Sequence, residues 1–229
     1  MARNEQPPFD RGSTWYNGGT IDANNLGGQQ IVGREWLFED INITTKQLRS
    51  NKYVRCRAVR NVSGVNVLPK HLVQFQYSNS PAGGTGVLDP PVTYGAEVSG
   101  YTTSSDGQPA DPSVGHGYPV DEFVAAAGVP NNDIFWIVVD GPAMCLTAQN
   151  ALNGNINVGD KVVACGTTAA TTGVTGGCVD AVSYVNNTQC NATTQRQNVR
   201  QEVNFIGYAC SAITSGQTNT SILVDVGKW

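Results

Sequence analysis

The chain has 229 residues, of which 40% are hydrophobic and only 14% charged, against roughly 25% charged in an average soluble domain. Its 14 Lys and Arg stand against 18 Asp and Glu, a net charge of -4, which argues against the basic footprint of a nucleic-acid binder. Apolar runs such as Ile134 to Val139 are far shorter than the ~20 residues that cross a bilayer. The shortage of Glu, Lys, Gln and Arg, the usual covering of helix surfaces, argues against a helical bundle and for a mainly β chain rich in Thr, Val, Asn and Gly.

Residues 1–30 are full of turn formers, among them Asn17-Gly-Gly19 and Leu26-Gly-Gly28, with no sustained periodicity. They predict an extended N-terminal arm. Its isolated rings, Phe9, Trp15 and Tyr16, either anchor it on a neighbouring surface or pack back on its own domain. The first eight residues lack an apolar stretch behind their charge, so the chain is expected to be made and folded in the cytoplasm.

A β-rich domain is expected over 31–229, divisible into subdomains 31–130 and 131–229. Trp36 to Phe38 and Asp40 to Thr44 lead to a one-turn helix at Thr44 to Leu48, where Thr44 and Gln47 have capping-box spacing. Tyr53 to Arg60 alternates, with Val54, Cys56 and Ala58 on one face and Tyr53, Arg55 and Arg57 on the other, as in a half-buried strand. Asn61-Val-Ser-Gly64 is turn chemistry. Strands follow at Val65 to Leu68 and His71 to Tyr77, with Pro69 between them marking an edge or a bulge.

Ser78 to Pro119 predicts a long loop with a short strand at Ala96 to Tyr101. Val120 to Ala127 has helix formers, acidic residues in its first turn and Gly128 as a stop, so one short helix is expected there. Ile134 to Val139 is β-branched and aromatic on both faces, the pattern of a central strand covered from both sides, and Asp140-Gly-Pro142 is expected to end it. Further strands are expected at Met144 to Thr147, after a tight turn at Val158 to Asp160, at Cys178 to Tyr184, at Val203 to Cys210 and at Ile222 to Val226, with a polar excursion from Asn186 to Gln201. Strand signals about ten residues apart predict a small β-barrel or sandwich with long loops.

The six cysteines (Cys56, Cys145, Cys165, Cys178, Cys190 and Cys210) form no Cys-x-x-Cys pair, and with His71 and His116 they give no zinc-ligand spacing. Neither a metal nor a cofactor is expected. The thiols are expected to be buried and free, except that Cys178 and Cys190 could pair in an oxidising medium. Asn-x-Ser/Thr triplets at Asn42, Asn61, Asn191 and Asn219 need a secretory route to matter.

Catalytic signatures are missing as well. His71 has the setting of a partly exposed strand residue, and His116 lies between glycines with no nucleophile motif beside it. Asp106, Asp111, Asp121 and Glu122 could form a hydrolytic carboxylate pair, but a helix start accounts for the last two more simply. Lys52, Arg55, Arg57, Arg60 and Lys70 form the one charge cluster, either a solvated strand face or a patch seated on an acidic protein surface.

Several segments, in order, resemble the capsid decoration (cement) proteins of tailed bacteriophages: Arg60-Asn-Val-Ser-Gly64, Leu68-Pro-Lys-His-Leu-Val-Gln-Phe75, Gly117-Tyr-Pro-Val-Asp-Glu-Phe123 and Asn132-Asp-Ile-Phe-Trp-Ile-Val-Val-Asp-Gly-Pro142. Asn157-Val-Gly-Asp-Lys-Val162, Phe205-Ile-Gly-Tyr-Ala-Cys-Ser-Ala-Ile-Thr-Ser-Gly216 and Ile222-Leu-Val-Asp-Val226 are similar to the framework of small β-barrel phage head proteins. The resemblance implies a structural, non-enzymatic virion protein on the outer surface of the capsid, a homotrimer whose partner is the major capsid protein. Phe9, Trp15, Tyr16, Arg55, Arg57, Arg60 and Trp229 are the candidate capsid contacts. On that reading, deleting residues 1–30 should leave a folded protein that binds capsids weakly. A head-fibre or host-adhesion module, with Tyr94, Tyr101 and Tyr118 near its loop tips, is the alternative, and a hydrolase using His116 with Asp or Glu is a third.

Overall fold

The structure, a computed structural model, describes residues 7–15, 31–75, 95–102, 117–147, 155–165, 176–181, 205–214 and 220–227. It is mainly β. In chain order the strands are β1 (Glu35–Ile41), β2 (Leu48–Asn61), β3 (Leu72–Phe75), β4 (Glu97–Tyr101), β5 (Tyr118–Pro119), β6 (Ile134–Leu146), β7 (Lys161–Cys165), β8 (Cys178–Ala181), β9 (Phe205–Ala209) and β10 (Ser221–Val226). They lie in one sheet in the order β5-β3-β4-β2-β6-β10-β9-β7-β8, with β1 paired on β2 beside that path. Single bridges, Val120 to Ile137 and Thr147 to Val179, draw both ends of the path back toward β6. Among the described residues the strand order is that of an open sheet, so the mainly β expectation holds and the finer one of a barrel or sandwich is not reached by this pairing.

β6 organises this arrangement because its apolar residues face both ways. Ile134, Trp136 and Val138 enter one buried cluster with Val54, Cys56 and Ala58 of β2 and with residues of β7 to β10. Phe135 and Ile137 enter a second, with Val59, Val73, Val98, Val120 and Val129. The two-sided burial expected from the sequence is therefore present, and burying a side chain of this size stabilises by about 1.5–3 kcal/mol.

The strand does not stop at Asp140-Gly-Pro142. Residues up to Asp140 pair with β2, and from Gly141 to Leu146 the same strand pairs with β10. Gly141 has φ +91°, and a Cβ there would run into the Tyr53 carbonyl oxygen. The Gly-Pro signal thus marks a change of partner at a bend, where only glycine lets β2 approach so closely. Met144 to Thr147, expected as a separate strand, is the end of β6. Since β6 serves both halves of the sheet, the division near residue 130 is not a break in hydrogen bonding.

The two helices expected from the sequence are turns. Between Val120 and Gly128 the backbone makes two successive four-residue turns, with the Val124 N–H on the Asp121 carbonyl at 3.2 Å and the Gly128 N–H on the Ala125 carbonyl at 2.8 Å. Tertiary contacts outweigh helix propensity, because Val120 is bridged to Ile137 and Asp121 is fully buried beneath an arginine. The second expected helix is the loop joining β1 to β2. There Asn42, rather than Thr44, is the capping residue: its Oδ1 accepts from the Thr44 and Thr45 N–H groups at 2.9 and 3.1 Å. Val65 to Leu68 contributes one bridge, Val67 to Val129, and no strand.

The described part of the arm, 7–15, packs on its own sheet. The Phe9 ring stacks on Trp136 with centroids 4.5 Å apart, and the Trp136 indole N–H reaches the Phe9 carbonyl at 3.3 Å. Trp15 and Ile134 exchange backbone hydrogen bonds, both at 2.9 Å. Trp136 is further flanked edge-on by Trp36 and Phe38 at 5.4 and 5.3 Å.

Replacing Gly141 by alanine is expected to lower stability by about 1–3 kcal/mol, the usual cost of a side chain forced into such a backbone conformation. Urea unfolding measures it, and the Gly159→Ala variant is the comparison, because that turn also has a positive φ but leaves open space for a Cβ.

Candidate binding face

Strands β1 and β2 form a hairpin with two unlike faces. In β1, Trp36 and Phe38 turn inward onto Trp136, while Glu35, Leu37 and Glu39 turn outward. The register sets Glu35 opposite Arg57, Leu37 opposite Arg55 and Glu39 opposite Tyr53. Leu37 is 66% exposed, Tyr53 64% and, further along the hairpin, Leu48 62%.

This face holds Arg55 and Arg57 of the expected basic patch, but their charges are matched. Arg57 Nε donates to Glu35 at 2.9 Å, and Arg55 lies 3.7 Å from Glu35 and 3.4 Å from Asp140. Arg60 is elsewhere, half-buried and 3.8 Å from Glu97. Lys52 pairs with Asp225, and Lys70 sits in a turn with φ +66°. Four members of the charge cluster seen in the sequence, Lys52, Arg55, Arg57 and Arg60, are therefore in ion pairs. Exposed pairs of this kind each contribute roughly 0–1 kcal/mol. What distinguishes the face is exposed apolar area among neutralised charges.

Of the other residues singled out, Phe9 and Trp15 serve the core of this chain, and Tyr16 and Trp229 lie outside the described residues. His116, Asp106, Asp111, Tyr94 and Cys190 also lie outside them. His71 is fully buried rather than partly exposed, with Nδ1 3.1 Å from the Pro69 carbonyl oxygen, and burial lowers its pKa. The Tyr101 hydroxyl accepts from the Leu68 N–H at 2.8 Å and donates to the Asn66 carbonyl at 2.9 Å, and Tyr118 packs on Phe75 at 4.7 Å. Neither ring is at a loop tip. Cys56 and Cys145 are buried free thiols, pushed up by burial, Cys178 is buried and Cys210 is exposed. Asn61 is buried with its amide nitrogen on the Val65, Val129 and Pro130 carbonyls, so its Asn-x-Ser triplet is a turn support.

Behind the hairpin lies a group that the sequence did not disclose. Arg11 grips Asp121 with two hydrogen bonds of 2.8 and 2.9 Å. Arg49 Nε donates to Asp40 at 2.9 Å, and its Nη2 is 2.9 Å from Glu122. Ser50 donates to the other Asp40 oxygen at 2.7 Å. The Asp121-Glu122 pair is thus divided between two guanidiniums instead of starting a helix. Burial pushes the Glu122 carboxyl up, against the opposing pull of Arg49. Deleting 1–30 would strip this group of Arg11 and uncover Trp136, so the folded, truncated protein expected from the sequence is not what these contacts support.

Among the described residues no three His, Cys, Asp or Glu side chains are placed to hold a metal. A cleft of about 180 Å³ lies between the two halves of the sheet, lined by Tyr118, Val139, Phe205, Ile206 and Val226.

Arg11→Ala is expected to cost about 3–5 kcal/mol, because the fully buried Asp121 loses its countercharge. Arg11→Met combined with Asp121→Leu should recover most of that, and denaturant unfolding of the three proteins checks both statements. His71 has a second consequence. The unfolded chain takes up its proton near the ordinary value of ~6.5, whereas the buried imidazole resists protonation, so stability should fall as pH drops below ~6.5 and be unaffected above it. The difference in unfolding free energy between the wild type and His71→Gln, measured at pH 7.5 and 5.5, should shrink toward the lower pH.

Comparison with protein-family models, with curated proteins and with solved structures found no match to this chain.

Proposed function

We propose that this chain is a structural virion protein that binds the outer surface of a tailed-phage capsid and ties neighbouring capsid subunits together. The observation that carries the choice of contact is the outer face of the β1–β2 hairpin. There Leu37 and Tyr53 stand exposed between ion pairs that already neutralise Glu35, Arg55 and Arg57. Apolar area is what a partner gains most from covering, and charges balanced beforehand reduce the cost of desolvation on docking. The resemblance of the segments around β5, β6 and β10 to decoration proteins supplies the partner, the major capsid protein, and the homotrimeric state.

The mechanism is additive burial. A standard interface buries about 1,600 Å², and its net affinity is limited by the costs of association and ordering. Repeated around a closed shell, each copy that bridges two subunits must let go before they can separate, so modest single contacts add to a large barrier. The reading differs from the sequence-based expectation in its anchors. Phe9 and Trp15 are committed to their own core, and Leu37 and Tyr53 take their place.

Leu37→Asp and Tyr53→Ala are each expected to lower occupancy on purified, undecorated heads by tenfold or more, as central interface residues do, with thermal unfolding of the isolated protein little changed. Full occupancy by the double variant would refute the proposal. Retained binding to cell-surface glycans with none to heads would favour the adhesion reading instead.

A further inference from the structure

Among the described residues, the outer edge of β1 is unpaired. The Ala58 N–H donates to the Arg34 carbonyl at 3.0 Å, which fixes the alternation of the β1–β2 ladder. Trp36 and Phe38 therefore direct their backbone groups toward β2, and Glu35, Leu37 and Glu39 direct theirs away from it. Among the described residues, β1 pairs with β2 alone. Of its outward groups one is engaged: the Glu39 carbonyl accepts from Arg11 Nη1 at 3.3 Å. The same three residues present their side chains on the outer face, Leu37 between two glutamates. Glu35 is neutralised by Arg57 and Arg55, while Glu39 lies opposite Tyr53 and has no ion pair among the described residues.

We infer that this edge receives an extended strand of a partner protein, which places an apolar side chain beside Leu37 and a basic one beside Glu39. Strand addition uses the free backbone groups for affinity and alternate side chains for choice of partner. The charge pattern makes the choice. Opposite charges facing each other across a strand pair are favourable and like charges are not. A second copy paired antiparallel about Leu37 would set Glu35 against Glu39, whereas a strand with Lys or Arg two residues from a Val or Ile meets Glu39 and Leu37 together. The inference rests on the hairpin being the contact face, and a test that uses no capsid keeps its failure distinct from failure of that reading.

The probe is the peptide Thr-Lys-Thr-Val-Thr-Lys-Thr, acetylated and amidated at its ends, compared with the same peptide carrying Glu for both Lys. Titrated into the full-length protein and followed by amide NMR, the basic peptide should shift the Glu35, Leu37 and Glu39 resonances. It should slow exchange of the Glu35 and Leu37 amides and bind at least tenfold more tightly than the acidic peptide. Leu37→Pro removes an outward N–H while sparing the ladder to β2, and it should abolish the effect. Glu39→Lys should remove the advantage of the basic peptide. Equal binding of the two peptides, shifts confined to other strands, binding that survives Leu37→Pro, or slowed exchange that depends on protein concentration alone, as in pairing of two copies, would each overturn it. If Leu37→Pro does not fold, the peptide comparison on the wild type and Glu39→Lys decides.

Discussion

The requirement that β6 be buried on both faces organises this molecule. A strand carrying Phe135 and Ile137 on one side and Ile134, Trp136 and Val138 on the other cannot lie at a solvated surface, so chain must be supplied to cover each side. One cover is the twisted set of β3, β4 and β5 with the turns around Val124 and Val129. The other combines the β1–β2 hairpin, segment 7–15 and the C-terminal strands. Gly141 lets one strand serve two ladders, and without that bend the halves would need separate central strands. The open strand order follows, since both ends of the path curl back toward β6 but meet it through single bridges.

The hairpin inherits its placement from this packing. Its inner residues, Trp36, Phe38 and Asp40, are held by Trp136 and Arg49, which fixes its position on the sheet. Its outer residues are then free to be chosen for contact. A face mounted on a packed strand is presented in a defined geometry, which lowers the ordering cost that weakens contacts made by loops. The buried group of Arg11, Arg49, Asp40, Asp121 and Glu122 joins three distant stretches of chain behind that face.

What could be read from the sequence was local and periodic. The alternation from Tyr53 to Arg60, the two-sided run at Ile134, the turn before β7 and the strands near Phe205 and Ile222 all depend on neighbours one or two residues apart, and all were legible. What could not be read depends on residues far apart in sequence. The helix expected at Val120 to Ala127 had sound propensities, but Asp121 is claimed by Arg11, 110 residues away, and Val120 by Ile137. Gly141-Pro142 signalled a stop because a turn and a change of strand partner use the same residue types. The basic patch was legible as a row of arginines, but not as a row of ion pairs, since Glu35 and Asp140 enter only through strand register. The exposure of Leu37 and the open edge of β1 are not legible in the sequence for the same reason: both are properties of the assembled sheet.

Segment 7–15 also governs the order of events at birth. Phe9, Arg11 and Trp15 leave the ribosome before the residues that receive them, Trp136, Asp121 and Ile134, which are made more than a hundred residues later. Segment 7–15 must wait, its aromatic rings unshielded, until translation has passed β6. Packing of this segment therefore waits for β6, and the hairpin that shares Trp136 with it is held in place only after that strand has been made.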